Sequence, residues 1–338
     1  MSLRWEINPP AAWGERCGTA VLKLGPEDFF VAEWPAPEGL PNDQALSFPE
    51  TSAGSLTVTG QGDHLCLYLE KSGDNTEWVG KQVGKMAGLT SPDVGYCGLK
   101  DRHAITRQWF SLHLPGKASE DDALIAAISE RWSVLAAARR PRKLRRGEHG
   151  GNVFRIRLHE VTGDRDQIGE RLEQIRAEGC PNYFGPQRFG INGQNLDEAA
   201  KMGEIRGRLS RKEGMYFSAA RSYFFNKVLS ARLARNCWTT LMEGDPLEYP
   251  TGPLLGDGGP GSTGELETLE REVIAQEPEL LLPFSRTRMP PERRPLVLNP
   301  SDMSWGWQED RLELVFRLTS GQYATAVLAE VLDLSQPA

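Results

Sequence analysis

The stretch VGYCGLKDRHAITRQWFSLHLPG, residues 94–116, decides the fold of the region around it. One hydrophobic run stops at Gly98, four ionisable residues occupy positions 100–103, and a second run alternates apolar and polar residues from Phe110 onward. Alternation of this kind predicts a half-buried strand. GLKDRHA is therefore predicted to be a charged loop between two strands. Asp101 within it is either an ordinary solvated turn residue or a reagent that the sheet holds in place.

The rest of the chain mixes both periodicities. Strands are predicted at 27–34 (EDFFVAEW), 64–71 (HLCLYLEK), 153–161 (VFRIRLHEV) and 311–318, and helices at 75–89 (capped by Asn75), 164–179, 218–235, 265–276 and after Gly321. Residues 35–63 are rich in Pro, Gly and Ser and predict a long loop. The order is neither regularly βαβ nor all-β, so the predicted class is α+β with a mainly antiparallel sheet. Because the pattern becomes irregular after Gly179 and regular again after Pro300, 180–299 is predicted to be an insertion.

Composition excludes several classes of protein. The chain has 338 residues, 39% hydrophobic and 25% charged, which is typical of a folded globular protein. No apolar segment approaches the ~20 residues of a membrane helix, and the N-terminus does not resemble a secretory signal, so a cytoplasmic protein without membrane contact is predicted. Five scattered cysteines without a CxxC pair, and five histidines without a ligand spacing, argue against a disulfide framework and against a metal site.

Charge is unevenly distributed along the chain. The net charge is −7, yet six of the eight positions 139–146 are basic. These residues are Arg139, Arg140, Arg142, Lys143, Arg145 and Arg146, and a second group comprises Arg286, Arg288, Arg293 and Arg294. A solvated surface is the ordinary explanation of such a cluster, but self-repulsion favours a polyanion-binding site. Just after it, Phe154 is either a core residue or an aromatic platform for an unstacked base.

Six segments, in this order, resemble the TruD-type tRNA pseudouridine synthases. They are GPEDFFVAEW, CGLKDRHAITRQWF, RRGEHGGNVFRIRL, PNYFGPQRFG, SAARSYFFN and SGQYATAVLAEVL. The resemblance covers nearly the whole chain, and the combination of the Lys-Asp signature with NYFGxQRFG is highly specific. It implies a pseudouridine synthase catalytic domain at 1–179 and 300–338, with a mainly antiparallel central sheet, and an inserted α/β domain at 180–299.

The resemblance also implies roles for individual residues. Asp101 corresponds to the family's catalytic aspartate, and Lys23 to a lysine beside it. Asn152 and Phe154 match contacts around the target base, while Tyr323 stands where the family usually has Phe. Arg188, within NYFGPQRFG, is assigned to RNA binding together with the six basic residues of 139–146. The resemblance points to a uridine of tRNA at position 13 as the substrate, and other RNAs stay open as substrates. No protein partner is implied, and a monomer is predicted.

The expected reaction breaks the N1–C1′ bond of uridine and joins C5 to C1′. Because no electron changes hands and no group enters or leaves, no cofactor and no metal are expected. The base must leave its stack, with Phe154 and Tyr323 as candidate walls for it. Two alternatives stay open at this stage: a non-catalytic RNA-binding protein or RNA chaperone, and a carboxylate-based N-glycosidase that cleaves the same bond with water.

Overall fold

A computed structural model describes residues 4–42, 56–204, 207–285 and 287–335. These residues form seven α-helices and fifteen β-strands. The helices are α1 (Thr76–Met86), α2 (Asp121–Ser129), α3 (Arg165–Glu178), α4 (Gln194–Lys201), α5 (Arg211–Ala234), α6 (Gly264–Ile274) and α7 (Ala324–Val331). The strands are β1 (Thr19–Leu22), β2 (Phe29–Glu33), β3 (Thr59–Gly60), β4 (His64–Lys71), β5 (Val94–Tyr96), β6 (Ile105–His113), β7 (Ser133–Arg140), β8 (Gly151–His159), β9 (Cys180–Pro181), β10 (Thr251–Leu254), β11 (Glu292–Pro295), β12 (Val297–Leu298), β13 (Ser301–Gln308), β14 (Arg311–Thr319) and β15 (Asp333–Ser335).

Eleven strands form one large sheet. Its main order is β13-β14-β8-β2-β6-β4-β7-β3, while β1 pairs with β8 and β15, and β5 pairs with β6. The pairs β1–β15, β2–β6 and β3–β7 are parallel, and the other neighbours are antiparallel. The prediction of a mixed fold of helices and strands with a mainly antiparallel sheet is therefore confirmed.

The chain divides into two compact units. The sheet unit contains the described residues of Gly18–Gly163, Pro300–Gln322 and Asp333–Ala338, and the helical unit contains those of Met1–Cys17, Asp164–Asn299 and Tyr323–Leu332. Packing thus groups α3 and α7 with the segment 180–299. The division into a catalytic and an inserted domain is a statement about function, and it stays a prediction. Within 180–299 the described strands form only two-stranded sheets, β10–β11 and β9–β12.

In the sheet unit, two helices cover one face of the sheet. Val79 and Val83 of α1 and Ile128 of α2 are fully buried in one cluster with Leu67 of β4 and Phe110 of β6. Burial of each such side chain stabilises the fold by about 1.5–3 kcal/mol. The strands β5 and β6 belong to this closely packed sheet, which is therefore a stiff support for the loop that joins them.

The helical unit is built around α5. This helix has 24 residues, and Phe217, Phe224 and Phe225 on it are buried in an aromatic cluster. It begins seven residues before the predicted start at 218, because Ser210 and Glu213 form a capping box: Glu213 N donates to Ser210 Oγ at 3.2 Å, and Ser210 N donates to Glu213 Oε2 at 2.8 Å.

Most predicted elements are confirmed, but two long strands were not predicted. The strand β7 carries an Ala-Ala-Ala-Arg-Arg end, and β13 has the irregular sequence SDMSWGWQ. Alanine and charged residues are depleted in strands, and neither segment alternates cleanly between apolar and polar residues. The sequence pattern therefore did not predict either strand. Of the loop predicted at 35–63, residues 43–55 lie outside the described residues, and Thr59–Gly60 forms β3.

Candidate active site

The loop that joins β5 to β6 is held by a network of buried polar groups. Thr76, at the first turn of α1, accepts a hydrogen bond from Lys100 N at 2.9 Å and donates one to Gln108 Oε1 at 2.7 Å. Gln108 Nε2 in turn donates to Gly98 O at 3.2 Å. Arg102 O accepts from Gly73 N at 3.0 Å. The backbone on both sides of Asp101 is therefore fixed to the sheet and to α1.

A buried ion pair anchors the same loop from the other side. Lys100 Nζ lies 2.9 Å from Glu33 Oε1, with only 6% and 0% of the two side chains exposed. The second carboxylate oxygen, Glu33 Oε2, accepts a hydrogen bond from Trp109 N at 2.9 Å. Removing one partner of such a pair leaves a buried charge uncompensated. Lys100 is thus a structural anchor of the loop, a role that the sequence did not indicate.

Asp101 itself remains accessible, with 40% of its side chain exposed. Its Oδ2 forms an ion pair with Lys23 Nζ, and its Oδ1 accepts a hydrogen bond from His103 N at 2.9 Å. Partial burial opposes ionisation, but the hydrogen bond and charge of Lys23 and the His103 amide outweigh it, so the pKa of Asp101 lies below its usual value. The site therefore presents an ionised carboxylate to solvent at neutral pH.

Lys23 reaches Asp101 from an unusual backbone conformation. It follows β1 with φ of +65°, in the left-handed region, where a residue with a Cβ is uncommon. Its Nζ also lies 4.2 Å from the centre of the Phe29 ring. A cation over an aromatic face gains about 0.5–2 kcal/mol. Lys23 is thus oriented both by a ring of β2 and by the carboxylate of Asp101.

The two candidate base contacts on β8 are both buried. Phe154 is only 6% exposed, and its ring stacks on Phe316 at 5.6 Å and meets Phe29 edge-on at 6.2 Å. This placement matches the core alternative for Phe154 and not an open stacking platform. Asn152 is also buried, and its Oδ1 has no hydrogen-bond partner among the residues that the structure describes. A buried acceptor of this kind is costly unless a ligand or water satisfies it.

The basic segment 139–146 separates into two groups. Arg139 is buried and makes a bidentate pair with Asp121, 2.7 Å for each bond, and Arg140 is buried and lies 3.1 Å from Glu148. Their guanidinium groups pair with carboxylates of the protein. The prediction that these basic residues lack acidic partners is therefore wrong for Arg139 and Arg140. Three others are exposed: Arg142, Arg145 and Arg146. Lys143 is half-buried and donates to Pro92 O.

Tyr323 and Arg188 belong to the helical unit. Tyr323 is 37% exposed, and its ring lies 5.7 Å from that of Phe184. Arg188 is exposed and donates to Ser218 Oγ at 2.6 Å and to Ser222 Oγ at 3.2 Å, both on α5. The structure therefore brings Lys23, Asp101, Asn152 and Phe154 into one unit, and Tyr323 and Arg188 into the other.

Arg294 also packs beside Tyr323 and Phe184. The sequence analysis had placed it only in a group of arginines. Its guanidinium lies 4.3 Å from the Phe184 ring and 5.9 Å from the Tyr323 ring, and Nη2 donates to Asn182 Oδ1 at 2.5 Å. Burial lowers the pKa of Arg294 to about 10. Its sequence neighbour Arg293 pairs with buried Glu270 at 2.8 Å, whereas Arg286 lies outside the described residues.

Metal clusters and membrane-spanning helices are absent from the part of the chain that the structure describes. No group of three or more His, Cys, Asp or Glu side chains in it has the arrangement of a metal site. In the same residues, no helix has the length and apolar character that crossing a bilayer requires.

Comparison with known proteins gives one consistent family. The family model for tRNA pseudouridine synthase D (TruD) matches residues 13–202 and 247–331. A protein of Marinobacter nauticus named tRNA pseudouridine synthase D is 48% identical over 345 residues, covering 98% of this chain and 96% of the relative. One of the same name from Ectopseudomonas mendocina is 40% identical over 354 residues, covering 96% and 94%.

A solved structure supports the fold. The crystal structure of a candidate tRNA pseudouridine synthase D from Methanosarcina mazei superposes with a TM-score of 0.63, at 17% identity, over 97% of each chain. With a family match over most of its length and close relatives of equal extent, the chain belongs to the tRNA pseudouridine synthase D (TruD) family. It is accordingly an enzyme, and pseudouridine synthases are isomerases.

Proposed function

We propose that this chain isomerises a uridine of tRNA to pseudouridine, with the Asp101 carboxylate as the reacting group. The observation that carries the proposal is the accessible Asp101–Lys23 ion pair on a loop anchored by Thr76 and by the buried pair Glu33–Lys100. A reagent needs a fixed position and a defined ionisation state, and this loop supplies both. The relatives named tRNA pseudouridine synthase D support tRNA as the substrate, and the family resemblance supports position 13.

The chemistry requires an ionised carboxylate whichever route it follows. In one route Asp101 attacks the sugar or the base, and in the other it removes a proton to open a glycal-like path. In both, the N1–C1′ bond breaks and a C5–C1′ bond forms within one molecule, so atoms and electrons balance without a cofactor. The lowered pKa of Asp101 keeps the carboxylate available for either role.

The remaining side chains have supporting roles in this proposal. The orphaned Asn152 Oδ1 is suited to accept a hydrogen bond from the N3–H of the uracil. Tyr323 and the exposed Arg188 are proposed to contact the RNA from the helical unit. Exposed Arg142, Arg145 and Arg146 are proposed to bind phosphates, which position the RNA without reading its sequence. Arg139 and Arg140 are assigned to the stability of the fold.

The decisive experiment compares Asp101→Asn with Asp122→Asn, which changes an exposed aspartate of α2 in the same unit. Pseudouridine is mapped in tRNA after incubation, RNA mass is recorded, and tRNA binding is measured in parallel. We expect Asp101→Asn to bind tRNA and leave uridine unchanged, and Asp122→Asn to behave as the wild type. Isomerisation by the Asp101→Asn variant would refute the site. Release of free uracil by the wild type would indicate an N-glycosidase, and binding without any reaction would indicate an RNA-binding protein.

A further inference from the structure

An exposed leucine lies two residues before the reacting carboxylate. Leu99, in the sequence GLKD, is 53% exposed, although most large apolar side chains of the sheet unit are buried. Full burial of a leucine stabilises a folded protein, and Leu99 forgoes much of that contribution. A single exposed leucine is not unusual on a protein surface, so its significance depends on its surroundings.

Those surroundings fix the backbone on both sides of Leu99. Gly98 O accepts the hydrogen bond from Gln108 at 3.2 Å, and Lys100 N donates to Thr76 at 2.9 Å. Lys100 Nζ is held in the buried pair with Glu33. The side chain of Leu99 is therefore projected from a loop that folding has already ordered, so a contact made by it requires little further loss of backbone entropy.

The geometry also places Leu99 close to the chemistry. Two residues of extended chain span at most about 7 Å, so any RNA contact that Leu99 makes lies near the nucleotide that meets Asp101. That nucleotide must leave its stack to react, and the gap that it vacates has apolar faces above and below. Proteins that unstack bases commonly insert Leu, Ile, Met or Phe into such a gap. Phe154 is unsuited to this task, because its ring is enclosed by Phe29 and Phe316.

We propose that Leu99 is a wedge that enters the RNA stack where the target uridine is extruded. It is a positioning residue: it stabilises the extruded state and does not touch the bonds that change. The proposal rests on the proposed function, since a wedge is needed only if a stacked uridine is the substrate. Its signature is a dependence on stacking, because a target that is already unstacked needs no wedge.

The test compares two substrates, folded tRNA and a short RNA duplex that carries the target uridine as a single-nucleotide bulge. The variants are Leu99→Ala, Leu99→Met and the control Met86→Ala, an exposed apolar residue at the far end of α1, about 15 Å along the helix from Thr76. For Leu99→Ala we expect kcat/KM to fall about 10- to 100-fold on folded tRNA, because the cost of unstacking is no longer offset, and less than about threefold on the bulged RNA. Leu99→Met and Met86→Ala should stay near the wild type on both.

Fluorescence gives a second readout. RNA with 2-aminopurine beside the target should brighten on binding to Asp101→Asn, and this increase should be lost in the double variant Leu99→Ala/Asp101→Asn. Equal losses on the two substrates, or a Leu99→Ala variant as active as the wild type on folded tRNA, would overturn the wedge while leaving the proposed function intact. A wild type inactive on both RNAs would overturn the proposed function and the wedge with it. Because Leu99 is exposed, its variants should have the same melting temperature as the wild type.

Discussion

At the scale of single residues, the ionisation of Asp101 depends on two neighbours, Lys23 and His103. Burial by itself raises the pKa of a carboxyl, and the Lys23 ion pair together with the His103 amide reverses that effect. A carboxylate with a depressed folded-state pKa stays ionised down to below its ordinary value of about 3.9. Under the proposed function, protonation of Asp101 should therefore not limit activity near neutral pH.

Replacing Lys23 by Met tests this dependence. Without the ammonium, Lys23 no longer offsets burial and the pKa of Asp101 rises, so the acid limb of the kcat/KM profile should move to higher pH. Activity at acidic pH should then fall more than activity at alkaline pH. Lys117→Met, at an exposed lysine of the same unit, serves as the control. An unchanged acid limb in the Lys23→Met variant would show that the ion pair does not set the ionisation of the reacting group.

At the scale of elements, the start of α1 supports the loop of Asp101. Asn75 caps this helix by accepting from Trp78 N at 2.8 Å, and Thr76 in the next position links the helix to Lys100 and Gln108. One turn of helix thus both satisfies its own backbone and positions a neighbouring loop. The loop and the helix are expected to lose their order together.

Thr76→Val removes the hydroxyl and keeps the shape of the side chain. It leaves the buried amide of Gln108 without its donor, at a cost of about 1–3 kcal/mol in the free energy of unfolding. Because Lys100 N is also released, kcat should fall about tenfold while KM changes little. Thr76→Ser, which retains the hydroxyl, should restore kcat. Urea unfolding and steady-state kinetics on one substrate check both expectations. If Thr76→Val loses stability while kcat stays at the wild-type value, the start of α1 does not position the loop of Asp101.

The sequence predicted local elements better than pairings across the fold. The cap at Asn75 and the strands β4 and β8 were readable because periodicity and capping are local properties. The burial of Arg139 was not, since its partner Asp121 lies on α2, 18 residues away. The Glu33–Lys100 pair and the orphaned Asn152 oxygen could not be predicted for the same reason: both depend on which strands become neighbours. The strand pattern left Asp101 open between a turn residue and a reagent, and motif resemblance favoured the reagent and added Lys23.

At the scale of the whole molecule, an acidic protein must bind an acidic substrate. With a net charge of −7, long-range attraction to RNA is unfavourable, and the affinity must come from local groups. In the segment 139–146, Arg139 and Arg140 are used in internal ion pairs. The exposed Arg142, Arg145 and Arg146 are therefore the arginines of this segment that can contact phosphates. A small number of phosphate contacts implies a moderate dependence of binding on salt.

Changing Arg142, Arg145 and Arg146 together to Ala tests that account. The slope of log K against log salt for tRNA binding should fall in magnitude by about 2–3, since each lost phosphate contact removes about 0.7–0.9. The triple variant Lys81, Lys85 and Lys117 to Ala has the same change in net charge at exposed sites of the sheet unit. If both triple variants shift the slope equally, overall charge and not this segment governs binding.

The left-handed conformation of Lys23 has a consequence for how the enzyme can change over time. A residue with a Cβ costs about 1 kcal/mol in this region, and glycine would relieve that cost. Glycine would also remove the ammonium that pairs with Asp101 and lies over the Phe29 ring. If Asp101 is the reacting group, as we propose, a Lys23→Gly substitution that relieves the backbone lowers activity, so backbone relief and catalysis oppose each other at this position. Under the proposed function, a library screened only for folding should tolerate loss of Lys23, whereas one screened for pseudouridine should select against it.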